Sequence, residues 1–157
     1  MRSAVFWTGN AEATIDPKGR LSIPARFRAE VDPERDGKKW VCVPWPGGVI
    51  RIYTETGFQA LAASSKATLT PNQDQAKLQQ LMFGLADKVE PDSVGRVQLP
   101  KTLLQRAKLE GEVVVIGAGD RLEVHDRKKW EATLEEQFDQ LQLLVERIES
   151  RGSGGNA

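Results

Sequence analysis

The sequence predicts a mainly β, α+β fold: two tandem β-β-α-β-β repeats, a linker helix between them and a C-terminal helix after them. Three observations predict it. DPKGRLSIP at residues 16–24 returns as DSVGRVQLP at residues 92–100, with Asp, Gly, Arg and Pro in the same places. VCVPWPGGVIRIY (41–53) then lies over VVVIGAGDRLEVH (113–125). The closing strands alternate, with Ile50 and Ile52 around Arg51 and Leu122 and Val124 around Glu123, the period of a strand with one buried face.

Taken in order, each copy has a short strand, a Gly-Arg turn and a second short strand carrying Leu21 and Ile23, or Val97 and Leu99. Pro24 and Pro100 follow. A proline costs no hydrogen bond at the first position of a helix, and ARFRAEV and KTLLQRAKL suit one or two helical turns. Asp92 follows Asp16 by 76 positions but Val113 follows Val41 by only 72, so the second copy lacks four residues where the first carries the turn-rich DPERDGKK. An apolar strand, a Gly-rich turn and the alternating strand complete the copy. Between the copies, Thr70-Pro71-Asn72-Gln73 has the form of a capping box with proline at its first position, and Leu78, Leu81, Met82 and Leu85 recur at helical spacing after it. From about Lys128 to Ser150, Leu134, Phe138, Leu141, Val145 and Ile148 form a heptad-like stripe. Two heptads are too few for an independent coiled coil, so the helix faces either the core or another subunit. The expected boundaries are 10–57 and 86–129 for the repeats, 58–85 for the linker region, 130–150 for the last helix and 151–157 for a flexible tail.

Composition removes several function classes. The 157 residues carry 22 basic and 22 acidic side chains, so no bulk field draws the chain to nucleic acid or membrane, and any polyanion site must be a local concentration of charge. Half the chain is too short to bury a sufficient core alone, so the copies share one or gain one by oligomerising. A single cysteine, Cys42, excludes an intrachain disulfide and a cysteine-cluster metal site, and its run Trp40-Val41-Cys42-Val43 reads as buried. MRSAVFWTGN contains no apolar segment of signal length, and no stretch near 18 apolar residues occurs, so the chain reads as soluble and cytosolic.

VVVIGAGDR resembles the strand and glycine turn of a dinucleotide fold, but Leu122 stands where that fingerprint needs its third glycine, and a strand follows instead of a helix. A hairpin with Gly117 and Gly119 at positive φ explains it, as Pro46-Gly47-Gly48 does in the first copy. His125 is the only histidine and lacks a partner at metal-ligand spacing. No nucleophile turn is present, and the four tryptophans read as packing residues. The sequence predicts no catalytic residue, no metal, no cofactor and no small-molecule substrate.

The Gly-Arg turn remains. Asp16 and Asp92 can accept backbone donors or hold the guanidinium across the turn, and Gly19 and Gly95 permit its tight geometry. Lys18, Arg20, Arg26 and Arg28 face one acid, Asp16, in the densest basic cluster of the structured chain; the second copy has Arg96, Lys101, Arg106 and Lys108, with Val94 in place of Lys18. Such a patch suits phosphate, and Arg can read guanine edges. For Arg96 an internal Asp–Arg staple is an equal reading. Repetition of the patch around an oligomer would multiply weak contacts.

DPKGRLSIPARFR, DSVGRVQLP and VVVIGAGDRLEVHD together resemble the MraZ family of two tandem SpoVT/AbrB-like modules, over roughly residues 10 to 150. The resemblance implies a swapped-hairpin, double-psi-type β-barrel made from both copies and a closed ring-shaped homo-oligomer, cytoplasmic and nucleoid-associated. It implies sequence-specific binding of double-stranded DNA at direct repeats upstream of the protein's own cluster of division and cell-wall genes, usually as a repressor. The arginine of each D-x-x-G-R element, Arg20 and Arg96, is the implied DNA contact, and Lys18 and Arg26 match the family pattern. MRSAVFWTGN extends the usual start by several residues, and the second element lacks the lysine. The rival reading is a protein-interaction module whose basic turns are internal staples.

Overall fold

The computed structural model describes residues 5–64 and 68–153. They contain eight strands and seven helices in two compact units, the first running to Arg127 and the second beginning at Lys128.

In the first unit, the first copy supplies β1 (Asn10–Ile15), β2 (Arg20–Ser22), α1 (Ala25–Arg28), β3 (Trp40–Trp45) and β4 (Val49–Thr54). The second supplies β5 (Asp87–Val89), β6 (Arg96–Gln98), α5 (Lys101–Ala107), β7 (Gly111–Gly117) and β8 (Leu122–Asp126). Each copy is β-β-α-β-β, as expected. Pro24 and Pro100 stand at the N-cap rather than at the expected first helical position, and their carbonyls accept from Phe27 and Arg28, and from Leu104. DPERDGKK is more than a turn: Pro33–Asp36 forms the single-turn helix α2, capped by the Asp32 side chain, which accepts from the Glu34 amide.

All strands join one antiparallel sheet in the order β5-β3-β4-β8-β7-β1-β2-β6. The pairing crosses between the copies. β1 lies on β7 over six residue pairs, from Asn10↔Ile116 to Ile15↔Gly111, and β5 lies on β3 in the equivalent way. β2 pairs with β6, and β4 with β8, about a local two-fold. Each opening hairpin is therefore seated on the other copy, and the Asp92 amide donating to the Arg96 carbonyl brings the ends of the sheet into a nearly closed barrel. Alone, each copy has only two-stranded hairpins.

The alternation that predicts the strands also fills the barrel. Leu21, Ile23, Val97, Leu99, Ile50, Ile52, Val113, Val115, Leu122 and Val124 are at most 1% exposed, each such side chain worth roughly 1.5–3 kcal/mol on burial. Trp7 stacks on Trp40 at 5.8 Å between ring centroids and donates its indole N–H to the Phe27 carbonyl. Cys42 is fully buried and its thiol is pushed up to about 12 by desolvation. In the β7–β8 turn Gly119 has φ +85°, as expected, but Gly117 does not lie at positive φ. Its requirement is space: a Cβ there would lie 2.7 Å from the backbone of Trp7 and Thr8.

A second, smaller cluster on the outer face joins Val41, Val43 and Tyr53 to Phe58, Met82 and Ala86. It is covered by α3 (Glu55–Ser64), a helix absent from the sequence-based expectation, and α4 (Gln73–Gly84). The α4 capping box is real but two residues later than expected. Asn72 is the N-cap and Gln75 its reciprocal partner, at 2.8 and 3.2 Å.

In the second unit the single C-terminal helix is two, α6 (Arg127–Asp139) and α7 (Leu141–Ser153), interrupted at Gln140, whose amide donates to the Gln137 carbonyl in a tighter turn. Neither helix has a buried residue, and Phe138, Leu141, Val145 and Ile148 are all exposed. Within its own unit the stripe is left uncovered. Residues 151–153 of the expected tail belong to α7; 154–157, like Met1 to Ala4 of the extended start, lie outside the described residues.

Candidate nucleic-acid interface

The two Gly-Arg turns have the same construction. In the first, Asp16 Oδ1 accepts from the Lys18 and Arg20 amides, each at 2.9 Å, and Asp16 Oδ2 accepts from Arg20 Nε at 2.6 Å. The Gly19 amide donates back to the Asp16 carbonyl, with Gly19 at φ +81°. In the second, Asp92 Oδ1 accepts from the Val94 and Arg96 amides, Oδ2 accepts from Arg96 Nε at 2.8 Å, and Gly95 has φ +83°. This is the three-residue hairpin loop in which a left-handed glycine closes a turn. Backbone donation from the arginine amide is the leading cause that holds both aspartate carboxyls below their ordinary range, with the guanidinium adding to it. Both remain ionised at neutral pH.

In each turn the aspartate engages Nε alone. The terminal nitrogens of Arg20 and Arg96 donate no hydrogen bond among the described residues, and these side chains keep 32% and 38% of their surface. Nη1 and Nη2 are the donors that approach a phosphate or the O6/N7 edge of guanine in pairs. The aspartate thus orients each guanidinium and leaves its recognition edge available.

The β2–β6 ladder sets Arg20 opposite Gln98 and Ser22 opposite Arg96. Leu21 and Val97 point into the barrel, so Arg20, Ser22, Arg96 and Gln98 share its outer face. The two arginines are diagonal neighbours, with Cα atoms roughly 7–8 Å apart. Both the internal staple and the exposed fork, which the sequence posed as alternatives, are thus present in each turn.

The copies brace each other's turns. Gln98 Nε2 donates to the Lys18 carbonyl at 2.7 Å, and Leu104 lies against Gly19. Arg28, at the position equivalent to Leu104, covers Gly95 and donates from Nε to the Ile23 carbonyl at 2.8 Å. Arg26 is separated from both turns: it packs on Gly9, donates to the Asn10 carbonyl at the far end of β1, and lies over the Phe27 ring. The basic cluster contiguous in sequence is therefore dispersed in space.

The exchange assembles a different group. A groove of about 1030 Å³ beside the first turn is lined by Asp16 and Gly19 from one copy and by Lys101, Gln105 and Lys108 from the other. Glu110 is also on that lining, so its two lysines meet two acids. Its counterpart beside the second turn is smaller, about 400 Å³, with Arg28 and Lys38 against Glu90 and Asp92. Lys101 and Lys108 are visible in the sequence as part of the second copy, but only the strand exchange puts them on one groove with Asp16 and Gly19.

His125 is engaged by Glu123, with Nε2 and Oε1 3.0 Å apart. Among the described residues no group of three potential metal ligands occurs, and no helix is long and apolar enough to cross a membrane.

Comparison with known proteins gives one answer. The family model of the MraZ protein matches residues 6–80 and 82–148. A protein of Moorella thermoacetica named transcriptional regulator MraZ is 34% identical, across 91% of this chain and 96% of its own length. Proteins of the same name from Hydrogenovibrio crunogenus and Legionella pneumophila are 33% and 36% identical, across 86% and 78% of this chain and 89% and 81% of their own lengths.

Proposed function

The chain belongs to the MraZ family, and on that premise we propose that it is a sequence-specific, double-stranded-DNA-binding transcriptional regulator without enzymatic activity or cofactor. It acts in the cytoplasm, at the nucleoid, as a closed ring of identical subunits on direct repeats upstream of its own division and cell-wall gene cluster, and represses it. The relatives' printed names support the regulatory reading. The observation that carries it in this chain is the pair of aspartate-oriented arginines, Arg20 and Arg96, on one exposed face, their terminal nitrogens without partners among the described residues.

In this reading the β2–β6 edge enters the major groove, and the spacing of the two arginines spans about two base-pair rises of 3.4 Å. Lys18, with Lys101 and Lys108 beside the first turn, takes phosphates. Arg28 beside the second turn and Arg26 at the far end of β1 add charge to the subunit, but their main work is to hold Ile23, Asn10 and the second turn. Lys18 has Val94 as its counterpart, so the local two-fold is broken in charge. A subunit of this kind reads a site with a direction, which suits direct repeats better than a palindrome. The exposed stripe on α6 and α7, left uncovered within its own unit, supports assembly.

Fluorescence anisotropy with a duplex from the region upstream of the gene, against a scrambled duplex, tests the proposal. Selective binding is expected to weaken by roughly 10³-fold or more between 50 and 200 mM salt if six or more phosphates are neutralised. Equal binding of both duplexes would return the turns to a structural role and favour the protein-interaction reading.

A further inference from the structure

The outer face of β3 and β4 carries a feature the DNA reading does not use. A cavity of about 360 Å³ lies between this face, α3 and α4, walled by Tyr53, Phe58, Leu78, Met82 and Phe83. Tyr53, Phe58 and Phe83 form a chain of aromatic contacts at 5.4 and 5.9 Å. The charged group on this lining is Arg51, whose guanidinium lies 3.5 Å over the Trp45 ring.

Arg51 has only a long ion pair, with Glu123 opposite it on β8, and its terminal nitrogens donate no hydrogen bond among the described residues. Its Nε is shielded from solvent without a hydrogen-bond partner, and Glu123 Oε2 is 3.9 Å away, beyond hydrogen-bonding distance. Glu123 is already committed: Arg121 donates to Oε2 at 2.9 Å, and His125 sits 3.0 Å from Oε1. Arg121 also holds Asp120, at 3.2 Å, and of the three groups around Glu123 Arg51 has the longest contact. Nε is closed to the cavity as well as to solvent, so the terminal nitrogens are the donors left for a ligand, and the described lining contains no carboxylate of its own. The stack on Trp45 stabilises the cation but accepts no hydrogen bond.

We propose that this cavity binds an amphipathic carboxylate, a medium-chain acyl anion, with its tail among Phe58, Leu78, Met82 and Phe83 and its carboxylate on the Arg51 guanidinium. The volume lies in the range of small-molecule sites, and an apolar wall with one charged anchor is their usual composition. The charge fixes the class: a neutral or cationic amphiphile leaves Arg51 as it is. The site is on the outer face of the barrel, away from the β2–β6 edge, and does not depend on the DNA reading.

Isothermal titration calorimetry of the full chain with octanoate and with octanol tests it. Octanoate is expected to bind saturably and about tenfold or more tighter than octanol, the preference due to a charge-assisted hydrogen bond. Arg51→Gln should erase the preference while octanol binding stays, Arg51→Lys should keep part of it, and circular dichroism checks that both variants fold. Leu78→Asp, on the exposed rim, should weaken both ligands. Absence of saturable octanoate binding, equal affinity for the two ligands, or a preference unchanged in Arg51→Gln each overturns the proposal. So does a change in subunit number on Leu78→Asp without any octanoate binding, which would assign the cavity to a protein contact.

Discussion

The turn at Asp16–Arg20 and the turn at Asp92–Arg96 share a backbone and differ in surroundings. Asp, Gly and Arg suffice to build the loop twice, to within a few tenths of an ångström in its hydrogen bonds. The variable position, Lys18 against Val94, sets the charge, and so do the residues lent by the other copy: a glutamine and a leucine brace the first turn, an arginine the second. Duplication thus conserved a geometry while exchange let the two sites diverge in what they hold. On the proposed reading the first is the stronger anion site, because it has Lys18 where the second has Val94, while Arg28 beside the second is committed to Ile23.

That comparison can be broken most directly at the arginines. Arg20→Ala should reduce operator affinity by roughly 10- to 100-fold, the worth of one bidentate base contact, and Arg96→Ala by less, with subunit number unchanged; anisotropy and light scattering measure the two. A larger loss at Arg96 would invert the ranking of the turns. At the glycines the effect is on stability. Gly19→Ala and Gly95→Ala each force a side chain into the left-handed region, at a cost of roughly 1–2 kcal/mol. At Gly95 the new Cβ also meets the Arg28 guanidinium at 2.6 Å, whereas at Gly19 it meets Gln98 Nε2 at 3.1 Å, then Leu104 and the Leu99 carbonyl. Arg28→Ala should therefore recover part of the Gly95 loss and none of the Gly19 loss in thermal melts of the double variants. The smallest effect is at the variable position. Lys18→Val should make the first turn resemble the second and lower the slope of log affinity against log salt by about 0.9 for each phosphate no longer neutralised, while selectivity over a scrambled duplex persists.

The repeats are legible because Asp-x-x-Gly-Arg and the period-2 strands leave residue-level marks. The seating of each opening hairpin on the other copy leaves none: alternation says which face of a strand is buried, not which strand lies beside it, and here only the family resemblance implies it. The same limit applies to the candidate site. Arg26 and Arg28 look like Lys18 and Arg20 in a charge count, yet they donate to the Asn10 and Ile23 carbonyls. Only the fold reveals those acceptors. Helix α3 follows β4 without an intervening loop: its cap is Thr54, the last residue of that strand, whose side chain accepts from the Gly57 amide at 2.9 Å. The cap is thus hidden in the strand, and Gly57 weakens the first turn. The break at Gln140 has no proline or glycine to mark it.

The exchange of hairpins has a consequence for synthesis. Arg127 Nη2 donates to the Ala13 carbonyl across 114 residues, and β1 has its long ladder only with β7. A chain emerging from the ribosome at about 5–20 residues per second holds β1 without that partner for on the order of ten seconds. During that wait its unpaired edge can join the same strand of a neighbouring nascent chain, so a hairpin traded within one molecule is also the element most readily traded between two.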